Sequence, residues 1–123
     1  MPDKLRTTAD IAACVDLYRA LSDEAFITSD RNSAIRNLWA LVRQRRFVRC
    51  IRRNGVIEAW IYADRVQLPH RATPHFQQIY YASSVSGIRA ARYVVELHDI
   101  AAEYAKAEGY DLITSPGSHM DPD

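Results

Sequence analysis

The stretch 83-SSVSGIRAARYVVELHDIAAEYAKAEGYDLI-113 decides the fold. An extended run ends in a Ser-Gly pair, and a long helical pattern follows in which Ala90, Val94, Leu97, Ala101 and Tyr104 return to one face. Gly109 suits the left-handed stop after the last turn. The chain then re-enters a strand at "YDLITS" (110–115), and "FQQIYYASSV" (76–85) supplies the strand before the helix. Two strands joined by a helical crossover are expected to lie parallel, with a right-handed connection. Ser86 is expected to cap the helix, and Gly87 is the only residue without a side chain near its start. The first N–H groups of a helix lack intrahelical partners and carry partial positive charge, so this turn is a natural anion-binding position.

Upstream, "VQLPHRATPH" (66–75) carries two prolines that interrupt pairing and places His70 and His75 in a loop. Before it, "FVRCIRRNGVIEAWIYADR" (47–65) reads as two strands joined at Asn54-Gly55, the strongest short hairpin signal. After the polar break "SDRNS" (29–33), a helix presents Ile35, Leu38, Trp39 and Val42 and ends in the basic run "RQRR" (43–46). At the N-terminal end, "KLR" (4–6) is expected to form a first strand. Thr8 is then expected to cap a helix whose stripe is Ile11, Cys14, Val15, Tyr18 and Leu21. The order is β-α-α-β-β-β-α-β, an α+β chain with a mixed, mostly antiparallel sheet flanked by helices and the fourth strand near its middle. Crevices at the carboxyl ends of strands that feed helices are common ligand positions.

Composition bounds the rest. A chain of 123 residues with 48% hydrophobic and 25% charged content is expected to form one domain over residues 1–123. Sixteen Lys and Arg against fifteen Asp and Glu leave a formal net charge of +1, which argues against a protein that binds polyanions with its whole surface. The densest charge feature, Arg43, Arg45, Arg46, Arg49, Arg52 and Arg53, runs from a helix end into a strand, so its side chains are not expected to share one face. Nucleic acid is accordingly not the expected partner. No apolar run reaches the length of a membrane span and the first residues lack a signal-peptide pattern, so the expected address is cytoplasmic, without a membrane partner. Cys14 and Cys50 read as buried reduced thiols, no Cys/His set has metal-ligand spacing, and no nucleophile-elbow pattern occurs.

The segment "IYYASSVSGIRAARYVVELHDIAAEYAKAEGYDLI" (79–113), its ending "AEYAKAEGYDLI" (102–113) and the opening "KLRTTADIAACVDLYRAL" (4–21) resemble the GNAT superfamily of acyl-CoA N-acyltransferases. The resemblance implies acetyl-CoA as cofactor, with strand four pairing with its pantetheine arm. It also implies a diphosphate held on a turn of the form Arg/Gln-x-x-Gly-x-Gly/Ala. Counting back from Gly109 by the family's helix length puts Arg89, Arg92 and Val94 at the signature positions, matching only the first. Counting forward from strand four puts the turn at Ser86 and Gly87. We prefer the second register, with Val85, Ser86, Gly87, Ile88, Arg89, Ala90, Ala91 and Arg92 as the cofactor-binding set. Transfer to an amine needs a group that takes its proton and a donor to the leaving thiolate. Tyr80 and Tyr81 face opposite sides of strand four, and Tyr81 and Ser115 are the catalytic candidates.

The implied activity is acetyl transfer from acetyl-CoA directly to a primary amine on a small molecule or peptide. The alternative is a non-catalytic structural or interaction protein of the same fold. The family continues past strand five into a helix and two more strands, whereas this sequence stops at "SPGSHMDPD" (115–123). An open sheet edge of that kind is expected to favour a homodimer.

Overall fold

In the computed structural model, residues 2–21 and 30–113 are described. They form β1 (Pro2–Asp3), α1 (Thr8–Leu21), α2 (Arg31–Arg43), β2 (Phe47–Arg53), β3 (Val56–Val66), β4 (His75–Ser83), α3 (Gly87–Glu108) and β5 (Asp111–Ile113). The sheet runs β1-β2-β3-β4-β5, with every neighbouring pair antiparallel except β4 and β5, which are parallel as the crossover through α3 requires. The expected element order holds throughout.

Each face of the sheet carries its own core. Ile11, Cys14 and Val15 of α1 and Leu38 of α2 pack with Val48, Cys50, Trp60, Tyr62 and Ala82 on one face. Tyr93, Leu97, Ala101 and Ala105 of α3 pack with Phe47, Ile51, Ala59, Ile61, Ala63 and Phe76 on the other. The stripe of α3 is therefore rotated from the one read off the sequence: Leu97 and Ala101 are central, Tyr93 and Ala105 are buried with them, and Ala90, Val94 and Tyr104 flank it half-buried. Cys14 and Cys50 are both fully buried and free, and burial pushes the Cys50 thiol up to about 11.

Several boundaries move for identifiable reasons. The first strand is Pro2–Asp3 and not residues 4–6, because Pro2 and Asp3 align with Ile51 and Cys50. The helix cap is Thr7 and not Thr8. Thr7 Oγ1 accepts from Asp10 N at 3.1 Å while Asp10 Oδ2 accepts from Thr7 N at 3.2 Å, a reciprocal capping box that needs its acid three residues on. His75 is not in the loop. It opens β4, 1% exposed, with Nε2 hydrogen-bonded to Gln77 Oε1 at 2.8 Å. The hairpin turns at Asn54 (φ 54) and Gly55 (φ 78), the left-handed pair that Asn-Gly favours.

Two irregularities in the ladders were not legible. Ile51 faces Ala59 while Arg52 faces Ile57, so Glu58 is an extra residue in β3. Tyr62 faces Tyr80 while Ala63 faces Gln78, so Ile79 is an extra residue in β4. Each bulge inverts the alternation of every residue beyond it.

Candidate functional site

The elements meet at the carboxyl end of β4. Its pairing with β5 covers His75, Phe76 and Gln77 only. From Gln78 to Ser83, β4 is paired to β3 alone among the described residues, so its other backbone edge has no partner among them. The Ile79 bulge lies at the start of that open edge.

The bulge sets which way the tyrosines point. Phe76 packs on the α3 face, and Gln78 reaches the same side, its Oε1 2.9 Å from Nε2 of His98 on α3. Without an extra residue Tyr80 would follow them. Instead Tyr80 turns to the α1 side, edge-on to Tyr18 at 5.0 Å between centroids, and Tyr81 packs on the α3 face. The two tyrosines face opposite sides, as read from the sequence. The Tyr81 hydroxyl is buried without a hydrogen bond to any described residue. Burial pushes its phenol up, offset in part by the neighbouring Ser83 hydroxyl, so the group keeps its proton at neutral pH. Ser83 itself is committed to the turn: its Oγ donates to Val85 O at 3.1 Å and accepts from Val85 N at 3.2 Å.

That turn delivers the chain to α3. Val85 packs against the α3-side core, and Ser84 N donates to Glu58 O at 2.8 Å. Glu58 also accepts from the Tyr93 hydroxyl at 2.7 Å, so the bulge in β3 fixes both the turn and the second turn of the helix. Ser86 occupies the N-cap position with φ −133 and ψ −179, yet its side chain makes no capping hydrogen bond. The expectation that Ser86 caps the helix is corrected: the position is right and the bond is not made. Gly87 has φ +71, a conformation L-residues rarely adopt, and a Cβ placed there would meet nothing within 4 Å.

Three observations make this helix start electropositive. No side chain caps it, its first turn carries no acidic residue, and Arg89 and Arg92 stand exposed beside it. The amides nearest the open space belong to Gly87, Ile88 and Arg89, with Ala90 completing the turn. Ala91, Arg92 and Val94 lie further in, where backbone amides enter the i→i−4 ladder, so Arg92 offers its side chain alone. Ser115 lies outside the described residues.

The His98–Gln78 contact was not anticipated as a pair. His98 is half-buried, and burial lowers its pKa against the opposing pull of Asp99, which leaves a neutral imidazole above its ordinary value of 6.5. Among the described residues, no group of three or more His, Cys, Asp or Glu is placed to hold a metal ion. Nor is any helix among them long and apolar enough to cross a membrane.

No protein-family model and no curated protein sequence matches the chain. Solved structures do. A GNAT family acetyltransferase from Staphylococcus aureus superposes with a TM-score of 0.68 at 15% identity, over 96% of this chain and 86% of its own. A predicted acetyltransferase from Clostridium acetobutylicum, solved with acetyl-CoA, gives 0.70 at 12% identity over 99% and 85%. The chain has the GNAT fold. A transcriptional regulator from Bacillus halodurans C-125 shares it as well, with a TM-score of 0.71 at 15% identity over 100% and 85%. Within this GNAT fold the open edge of β4 and the uncapped start of α3 are neighbours because one turn, residues 84–86, separates them. A shared fold does not by itself carry an activity, so function has to be argued from that site.

Proposed function

We propose that the chain is an acyl-CoA-dependent N-acetyltransferase that uses acetyl-CoA and transfers the acetyl group directly to a primary amine. One observation carries the reading: the edge of β4 that has no partner among the described residues runs straight into a helix start that is uncapped, without an acidic residue in its first turn and entered through Gly87 at φ +71. The Clostridium acetobutylicum relative in fold was solved with acetyl-CoA, which supports the choice of cofactor.

The residues present fit that cofactor. The amides of Gly87, Ile88 and Arg89 would hold its diphosphate, with Arg89 and Arg92 adding charge-assisted contacts. The open edge of β4 from Gln78 to Ser83 would pair with the amides of its arm, as an added strand does. Bound acetyl-CoA supplies an acyl group activated as a thioester. The chain's own part is to align the amine with that carbon, exclude water and hold a proton for the leaving sulfur. Tyr81 suits the last role, because its phenol is kept protonated by burial and its hydroxyl is uncommitted.

Isothermal titration of the folded chain with acetyl-CoA tests the cofactor. Saturable binding at micromolar to millimolar concentration is expected. A folded protein that shows none at millimolar acetyl-CoA rules the cofactor out and leaves a non-catalytic module of the same fold.

A further inference from the structure

Two adjoining cavities open at the other end of the sheet, where β3 finishes and β4 begins. One, of about 220 Å³, lies between Lys4, Arg49 and the turn after α2. The second, of about 310 Å³, lies between that turn, Arg65 at the end of β3, and Tyr104 of α3. Arg45 and Arg46 line both. Among the described residues five cations thus face the pair against a single carboxylate, Asp64, in a chain whose formal net charge is only +1. Asp64 is already engaged, accepting from the Tyr62 hydroxyl and pairing with Arg46 at 3.4 Å. The side chains of Lys4, Arg45 and Arg65 have no hydrogen bond or ion pair among the described residues.

The six-arginine run of the sequence therefore divides. Arg43 lies over the Trp39 ring at 5.6 Å and Arg52 is held by Asp10 at 2.8 Å, away from the cavities. Arg45, Arg46 and Arg49 converge on them and are joined by Lys4 and Arg65 from distant parts of the chain. Arg45 reaches its place at a backbone cost. It sits at φ +62 in the position after α2 where glycine is usual, and Arg45 N to Val42 O and Arg46 N to Leu41 O, both 3.0 Å, close a Schellman motif around it. Non-glycine residues held there concentrate at functional sites. Arg49 is half-buried over the Phe47 ring at 4.5 Å, its guanidinium bonded among the described residues only to Val48 O at 3.0 Å, and burial lowers its pKa. A bound anion would offset that desolvation.

We propose that these joined cavities bind a small multivalent anion bearing two or more phosphoryl groups, with Arg45 at the centre, Lys4 and Arg49 on one side, and Arg65 on the other. The cations close around two pockets and do not extend as a stripe along α2 and β2, which favours a compact phosphate ester over a nucleic-acid backbone. The site is separate from the start of α3. The seven residue-to-residue steps of β4 from Phe76 to Ser83 separate them by roughly 23 Å at about 3.3 Å per step. It does not rest on the acyltransferase reading.

Titration with inorganic tripolyphosphate tests it, on the wild-type chain and on the variants Arg45→Gly, Arg65→Ala and Gly87→Val. Arg45→Gly is expected to raise the melting temperature, because glycine relieves the left-handed strain, and yet to weaken tripolyphosphate about tenfold through loss of a charge-assisted contact. Arg65→Ala should weaken it similarly, and Gly87→Val should leave the binding that depends on Arg45 and Arg65 unchanged. Unchanged affinity in both arginine variants overturns the proposal, as does loss of binding in Gly87→Val alone, which moves the anion to α3. A single-stranded oligonucleotide that binds and is not displaced by tripolyphosphate overturns it in favour of a nucleic-acid surface.

Discussion

Replacing Gly87 by valine separates a cofactor cradle from a mere helix start. Gly87 has φ +71, and an added Cβ meets no atom within 4 Å, so the protein interior does not resist the side chain and only the backbone does. Left-handed backbone costs an L-residue roughly 1–2 kcal/mol, which for a chain of this length lowers the melting temperature by roughly 4 °C per kcal/mol. The new side chain would also stand in the open space through which an anion reaches the first amides of α3. Losing one charge-assisted hydrogen bond to a phosphate is worth about 1.5–3 kcal/mol, or roughly tenfold to a hundredfold in affinity. Gly109 is the internal control. It has φ +79 and equally open surroundings, but it closes the far end of the 22-residue helix. Gly109→Val should therefore cost comparable stability and leave acetyl-CoA binding intact. Thermal melts and isothermal titration of the two variants side by side give both quantities. Equal losses of stability with unchanged acetyl-CoA affinity in Gly87→Val would refute the cradle.

Tyr81→Phe should fold as well as wild type or gain about 1 kcal/mol in urea melts, because the lost hydroxyl is buried without a partner among the described residues. Its acetyl-transfer rate should fall about 10²- to 10⁴-fold if the phenol donates the proton, and an unchanged kcat removes Tyr81 from the chemistry. Asp10 gives a pH prediction. Burial pushes its carboxyl up, but hydrogen bonds from the Arg6 and Thr7 amides and the charge and hydrogen bond of Arg52 outweigh burial and hold it below 3.8. A depressed folded value contributes stability that is full above 3.8 and is withdrawn as pH falls through the folded value. Urea midpoints should therefore drop on acidification below about pH 4, and Asp10→Ala should flatten that drop while costing about 1 kcal/mol at neutral pH through the lost cap. A wild-type profile no steeper than that of the variant would contradict this.

The fold was legible where local chemistry decides it. Asn54-Gly55 announces its turn because few other pairs accept two left-handed residues, and Gly109 announces the end of α3 for the same reason. The capping box was present as Thr7-x-x-Asp10, and only its acid three residues on distinguishes Thr7 from Thr8. The bulges left no such trace. Glu58 and Ile79 are ordinary strand residues, and their status as extras depends on which partners the neighbouring strand offers. The site was consequently legible in place but not in orientation. That the two tyrosines oppose each other follows from adjacency, whereas the assignment of Tyr81 to the α3 face follows from the bulge. The cationic cavities were out of reach for a related reason, since Lys4 and Arg65 join Arg45, Arg46 and Arg49 only through the sheet.

The Ile79 bulge connects these observations physically. Were β4 regular, Tyr80 would lie with Phe76 and Gln78 on the α3 face, and Tyr81 would turn toward α1. One additional residue instead brings a phenol to the helix-covered face, beyond the last pairing of β4 with β5 among the described residues. Bulges of this kind increase the local twist of their strand, and this one lies just beyond the residues, 75–77, over which β4 pairs with the described part of β5. An edge left open in this way is a hydrogen-bonding template, and whatever pairs with it, a cofactor arm bearing amides or a strand of a second copy, excludes the other. The residues that would make this chain an acetyltransferase are thus the residues that would make it a dimer through the same edge, and the Gly87 turn discriminates between them because only a phosphate-bearing occupant has use for the amides of α3.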